Sequence, residues 1–149
     1  MKLKTDSSIA EIYGYSRKTR IVRPLFLCGV SAGFPSPADD YIDRLLDLNE
    51  LLITNPPATF FVKVAGDSMT GAGIYDGSIL IVDRSIEATN GRIVIAAVNG
   101  ELTVKRLVKS NDSCRLVAEN ADYAPLEITK ESQCEIWGVV TSVIQQFEK

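Results

Sequence analysis

The sequence predicts a mostly β domain, built on a strongly curved sheet or an incomplete barrel and preceded by a flexible N-terminal arm. Its 149 residues, 46% hydrophobic and 23% charged, suffice for one buried core. Runs rich in β-branched and aromatic residues recur from Thr59 to Ile144. The strongest local signal is the pair Asn99-Gly100 between two such runs, which favours a type I′ hairpin.

The first part of the chain has a different character. Residues 1–24 show no sustained hydrophobic periodicity and end at Pro24, which indicates an arm without regular structure. Ser36 is then the predicted N-cap of a short helix with Pro37 at its first position. Ile42, Leu45 and Leu46 have the spacing of the apolar face of that helix.

The remaining body is predicted to consist of strands separated by turns. Six runs qualify: Thr59–Val64, Ile79–Val82, Arg92–Val98, Glu101–Val108, Cys114–Ala118 and Ile136–Ile144. No internal repeat or low-complexity tract interrupts them.

Composition excludes several kinds of chemistry. The chain contains no histidine, so neither a Ser-His-Asp triad nor an imidazole metal site can be built. A nucleophile must find its base among Lys, Asp, Glu, Tyr or a backbone amine, and we expect no metal and no cofactor. Cys28, Cys114 and Cys134 form no C-x-x-C pair, which fits reduced thiols in the cytoplasm.

Charge is divided unevenly along the chain. Residues 1–32 carry six basic and two acidic side chains, whereas residues 33–149 carry 10 basic and 17 acidic ones. The acidic body is a poor candidate for direct binding of duplex DNA. The basic arm could dock on that body or on an acidic partner, or it could be a solvated tail. No apolar stretch approaches the roughly 20 residues of a membrane span, so we expect no membrane association.

Two residues are candidates for catalysis, and each has a plain structural alternative. Ser68 follows a predicted strand, and Gly66 allows the backbone to turn sharply and leave the hydroxyl accessible; a turn serine could equally bond its own backbone. Lys105 lies among apolar residues of the second hairpin strand, where it could extend to solvent on an edge strand. If it is buried instead, desolvation lowers its pKa and makes the neutral amine a competent base for a serine.

A resemblance decides between these alternatives. Blocks in the same order as in the UmuD branch of the LexA family of Ser/Lys peptidases cover about residues 33–145. These blocks are Ala32-Gly33-Phe34-Pro35-Ser36-Pro37, Asp47-Leu48-Asn49, Gly66-Asp67-Ser68-Met69, Gly77, Ile81-Val82-Asp83, Gly91 with Ile93–Ala96, and Gly100-Glu101 with Thr103-Val104-Lys105.

The resemblance implies a self-cleaving serine endopeptidase, with Ser68 as nucleophile and Lys105 as base. Backbone N–H groups around Asp67 and Ser68 would then stabilise the oxyanion. The implied cut is Ala32–Gly33, which removes residues 1–32 and leaves residues 33–149 as peptidase and dimerisation domain. Because relatives often present Cys-Gly at the cut, Cys28–Gly29 remains an alternative.

The same resemblance implies a role in the SOS response to DNA damage. The intact homodimer would be activated by RecA filaments on single-stranded DNA, and the shortened product would assist a UmuC-like error-prone polymerase in translesion synthesis. A non-enzymatic reading keeps the polymerase contact and treats Ser68 and Lys105 as residues of the fold.

Other relatives and rival readings fit the first 32 residues less well. A repressor-like relative would carry a helix-turn-helix domain before the cut, and 32 residues are too few for one. A signal peptidase would need a membrane anchor. A secretory signal is disfavoured because the apolar stretch Leu25–Val30 is short and contains Gly29.

Overall fold

The computed structural model describes residues 8–16, 23–26 and 42–148. The chain divides into two compact units, one formed by Met1–Tyr15 with Asn55–Lys149 and the other by Ser16–Thr54. Within the described residues, no helix has both the length and the apolar character needed to cross a membrane.

The larger unit is an eight-stranded antiparallel sheet. Its strands are β1 (Ile9–Gly14), β4 (Thr59–Val64), β5 (Ile79–Asp83), β6 (Ile93–Val98), β7 (Glu101–Lys109), β8 (Cys114–Val117), β9 (Leu126–Glu127) and β10 (Cys134–Ile144). They are hydrogen-bonded in the order β1-β4-β5-β10-β6-β7-β8-β9. Short 3₁₀ turns at Pro56–Ala58 and Thr70–Ala72 precede and follow β4.

The sheet curls strongly. Ser8, just before the edge strand β1, is hydrogen-bonded to Thr103 on β7, although four strands separate β1 from β7 in the sheet order. The predicted mostly β fold with a curved sheet is therefore confirmed. All six strands predicted in the body are present, with bounds that differ by at most two residues.

The predicted hairpin is confirmed in detail. Strands β6 and β7 pair with Val98 opposite Glu101, so only Asn99 and Gly100 connect them. Both have positive φ, 49° and 85°, as a type I′ turn requires. This turn places Lys105 in the middle of β7, opposite Val94 of β6.

The core covers both faces of the sheet. One buried cluster includes Val62, Met69, Leu80 and Ile95, and a second includes Val94. Because successive strand residues point to opposite faces, the neighbours Val94 and Ile95 of β6 contribute to different clusters. This two-sided burial explains the continuous apolar run of β6 in the sequence.

The smaller unit corrects the predicted helix. Ile42, Leu45 and Leu46 lie in β3 (Ile42–Leu46), which pairs with β2 (Arg23–Phe26). The helix α1 (Leu48–Leu52) begins later, because the Asp47 side chain accepts a hydrogen bond from the Asn49 N–H and caps it. Short apolar runs fit both periodicities, and here strand pairing prevails. The predicted N-cap Ser36 lies outside the described residues.

The N-terminal segment also differs from the expected arm. Residues 9–14 form β1, with Ile12 opposite Val62 and Gly14 opposite Phe60 of β4. Apart from Ile9 these residues are exposed. Since main-chain hydrogen bonds form this edge strand, it carries little of the side-chain periodicity by which strands are predicted. Whether residues 1–32 are removed by self-cleavage stays a prediction.

Candidate active site

Ser68 lies in the turn that leaves β4. Gly66, at φ 85°, turns the chain, and its N–H donates to the Asp76 carboxylate at 2.9 Å. The predicted sharp turn is therefore present. The hydroxyl is less accessible than the sequence suggested, because Ser68 is only 2% exposed. The site is consequently a largely dry one, in which electrostatic interactions are stronger than in water.

Lys105 is buried as well, at 8% exposure. It sits on β7, which lies between β6 and β8 in the sheet order, and it pairs with Val94 of β6, so it is not an edge-strand lysine. Its Nζ lies 3.2 Å from Ser68 Oγ. Two residues 37 positions apart in sequence thus form a direct hydrogen bond inside the fold. The structure brings the two predicted catalytic side chains together.

Further contacts fix the position of the lysine amine. Nζ lies 2.9 Å from the Thr103 hydroxyl and 3.2 Å from the Val104 carbonyl oxygen. The ring of Tyr123 lies beside it, with its centroid 5.9 Å from Nζ. Thr103 shares the strand face of Lys105, as the period of two predicts. These contacts hold the amine toward Ser68.

Ser8 forms an outer support for the lysine. Its side chain is fully buried, and its Oγ lies 2.9 Å from Thr103 Oγ1 while accepting a hydrogen bond from the Val104 N–H at 2.8 Å. Its carbonyl accepts from the Ala65 N–H at 2.8 Å. One residue before β1 therefore ties the end of β4 to the strand that carries Lys105.

The turn that carries Ser68 is held from the segment after β8. Asn120 Nδ2 donates to the Asp67 carbonyl at 2.8 Å, and the Tyr123 hydroxyl donates to the Asp67 carboxylate at 2.6 Å. The Gly71 N–H donates to the Glu119 carbonyl at 2.8 Å. Residues 119–123 thus fix the backbone on both sides of the serine.

Sequence reasoning missed Ser8, Thr103, Asn120 and Tyr123 as parts of this site. Thr103 belongs to a block quoted for the family resemblance, and its two-residue spacing from Lys105 was a usable signal. Ser8, Asn120 and Tyr123 gave none, because each is distant in sequence from the residue that it contacts. The candidate bonds Ala32–Gly33 and Cys28–Gly29 lie outside the described residues.

Cys134 is a poor nucleophile. Cys114 and Cys134 are both free and half-buried. Burial raises the pKa of the Cys134 thiol, and the neighbouring Cys114 raises this pKa further. A raised pKa disfavours the thiolate, which is the reactive form. Cys28 lies outside the described residues.

The class of this protein follows from its family. The chain belongs to the Peptidase S24-like family, whose model matches residues 24–141 and thus includes both Ser68 and Lys105. This membership places the chain among the serine peptidases.

Individual relatives show which members of the peptidase family this chain resembles. The chain is 44% identical to Protein MucA of Salmonella typhimurium over 93% of its own length and 92% of the relative's. It is 45% identical to Protein ImpA of the same organism, covering 84% of this chain and 85% of the relative. LexA repressor 1 of Xanthomonas campestris pv. campestris is 41% identical over 78% of this chain and 58% of the repressor. The resemblance to UmuD-like proteins is confirmed.

Proposed function

We propose that this protein is a self-cleaving serine peptidase that cuts Ala32–Gly33, with Ser68 as nucleophile and Lys105 as general base. The observation that carries the proposal is the 3.2 Å approach of Lys105 Nζ to Ser68 Oγ, with both side chains buried. Burial disfavours an ammonium ion and favours the neutral amine that a base requires.

The reaction follows from this arrangement. Neutral Lys105 takes the Ser68 proton while Oγ bonds to the Ala32 carbonyl carbon, and the carbonyl electrons move onto oxygen. Collapse of this intermediate breaks the bond to the Gly33 nitrogen, which receives the proton from Lys105. Water, deprotonated by Lys105, then hydrolyses the Ser68 ester. The arm leaves with the Ala32 carboxylate, and the serine hydroxyl is restored.

The cut bond is assigned from the sequence. Both candidate bonds lie between β2 and β3, which pair with each other through Arg23 and Leu46 at one end and Phe26 and Ile42 at the other. We retain Ala32–Gly33 as the cut because it directly precedes Phe34-Pro35.

Asn120 orients the oxyanion donor in this proposal. A trans peptide points its C=O and N–H in opposite directions, so binding of the Asp67 carbonyl by Asn120 sets the direction of the Ser68 N–H. That N–H, with the neighbouring one of Asp67, is the proposed oxyanion hole. Preorganised donors of this kind are often the largest catalytic contribution.

We therefore expect Asn120→Asp to slow self-cleavage by about tenfold, less than the 10²–10³ that loss of a direct donor costs. The carboxylate keeps the acceptor for the Asp122 N–H, at 3.0 Å, but replaces the donor to the Asp67 carbonyl by a negatively charged oxygen that repels it. Asn111→Asp makes the same charge change at an exposed site and serves as control. Equal rates for wild type and Asn120→Asp would remove Asn120 from the oxyanion site.

The cellular role is part of the same proposal. The similarity to UmuD-like proteins supports a cytoplasmic homodimer whose cleavage is stimulated by RecA filaments on single-stranded DNA. The shortened dimer then acts with a UmuC-like error-prone polymerase in translesion synthesis. These partners rest on the family relationship, whereas the peptidase chemistry rests on the site.

Intact-mass measurement tests together whether the chain cleaves itself, which bond is cut and what activates the reaction. Purified chain is incubated with RecA, an ATP analogue and single-stranded DNA, and with each component omitted in turn. We expect a new species that begins at Gly33, formed fastest in the complete mixture. A species that begins at Gly29 would move the cut to the alternative bond, and no shortened species under any condition would overturn the proposal.

A further inference from the structure

The hydroxyl of Thr103 has two possible orientations, and only one suits a lysine base. Thr103 Oγ1 lies 2.9 Å from Lys105 Nζ. With its proton turned away, this oxygen accepts an N–H of the amine and leaves the nitrogen lone pair for the Ser68 proton. With its proton turned toward Nζ, it donates into that lone pair and competes with Ser68.

Ser8 is placed to select the productive orientation. Its Oγ already accepts from the Val104 N–H at 2.8 Å, which orients its lone pairs within the sheet. A second lone pair can accept the Thr103 proton across 2.9 Å. Ser8 is fully buried, so water does not compete for these hydrogen bonds.

We propose that Ser8 is a positioning residue for the peptidase reaction, which holds the Thr103 proton away from Lys105 and keeps the amine lone pair directed at Ser68. This inference rests on the proposed self-cleavage. Ser8 does not touch the reacting atoms and acts only through Thr103.

Self-cleavage would remove this positioning residue from the body. Ser8 precedes both candidate cut bonds, so it belongs to the segment that self-cleavage removes. The intact chain therefore supplies, from its first residues, a group that orders its own catalytic lysine. The body left after the cut lacks that group.

The test is the rate of self-cleavage of the full-length chain at mildly alkaline pH. We expect Ser8→Ala to lower this rate about tenfold, within the range by which a displaced catalytic group slows a reaction. Ser8→Thr, which keeps the hydroxyl, should retain most of the rate. Ser78→Ala is the matched control, because Ser78 is a buried serine whose hydroxyl contacts Tyr75 and Gln145 and not the site.

Two readouts separate positioning from a merely structural role. In a Thr103→Val background Ser8→Ala should have little further effect, because the residue through which Ser8 acts is gone. The pH midpoint of the rate should also move to lower pH in Ser8→Ala, since a hydroxyl that donates to the amine favours its neutral form. Beside the amine the structure shows the Tyr123 phenol and, bonded to it, the Asp67 carboxylate, which both variants retain.

The outcomes are distinct. A wild-type chain that does not cut itself would contradict the proposed function. A wild-type chain that cuts, with Ser8→Ala equally fast, would overturn the inference alone. The inference would also be overturned if Ser8→Ala lowered the rate as much in the Thr103→Val background as in the wild-type chain, or if the pH midpoint of the rate did not move. The same holds if Ser78→Ala lowered the rate as much as Ser8→Ala. If Ser8→Ala does not fold, Ser8→Cys fills the site with a weak acceptor and carries the same expectations.

Discussion

Ser68→Ala should leave the purified chain uncut at every pH and with every activator. Removal of the nucleophile of a serine peptidase lowers the rate by a factor on the order of 10⁶. The Lys105 amine remains in this variant but has no hydroxyl to deprotonate. The measurement is intact mass over several days at mildly alkaline pH, where the wild-type reaction is expected to be fastest.

This variant should remain folded, which makes the result interpretable. Ser68 is small and lies in a turn, and the substitution removes one of several hydrogen bonds of Lys105. Urea denaturation should therefore give a free energy of unfolding within about 1–3 kcal/mol of wild type, the cost of leaving a buried polar group one partner short. If purified Ser68→Ala is shortened at the wild-type rate, a contaminating protease makes the cut.

Lys105 determines how the rate of self-cleavage is expected to depend on pH. The neutral amine is the active form, so the rate should rise about tenfold per pH unit below the lysine pKa and level off above it. Because Lys105 is buried and burial disfavours a charged amine, we expect the rate to level off at a lower pH than it would for an exposed lysine. A rate that is flat or that falls between neutral and mildly alkaline pH would contradict the assignment of lysine as base.

Substitutions that remove the Lys105 amine should abolish self-cleavage. Lys105→Met should abolish self-cleavage, because the side chain keeps its length but has no base. Lys105→Arg should also be inactive, since a guanidinium stays protonated at any accessible pH. Lys109→Met is the matched control, because Lys109 ends the same strand and is exposed. It should cut at the wild-type rate.

Lys105→Met should in addition be at least as stable as wild type. Taking an amine out of water is costly because water stabilises its charged form, and an apolar side chain of similar volume avoids that cost. A loss of activity together with a higher urea midpoint would indicate that the lysine is kept for chemistry. Activity lost together with folding would show that Lys105 is needed for the fold.

The sequence predicted those parts of the fold that depend on local chemistry. The Asn99-Gly100 turn and the six strands of the body follow from φ preferences and β-rich composition, which act over a few residues. The segments that it missed or misassigned, β1, β2, β3 and β9, are short or exposed. Their pairing depends on main-chain hydrogen bonds, which the side-chain pattern of a short or exposed strand does not record.

For the site, the sequence alone determined that any peptidase here must work without histidine, and the family resemblance selected Ser68 and Lys105. Only the tertiary structure decided that these two side chains are buried and within hydrogen-bond distance. The tertiary structure alone also shows the hydrogen bond between Ser8 and Thr103, which are 95 positions apart in sequence. The physical reason is that burial and proximity depend on how the sheet curls, and the curl is a property of all eight strands together.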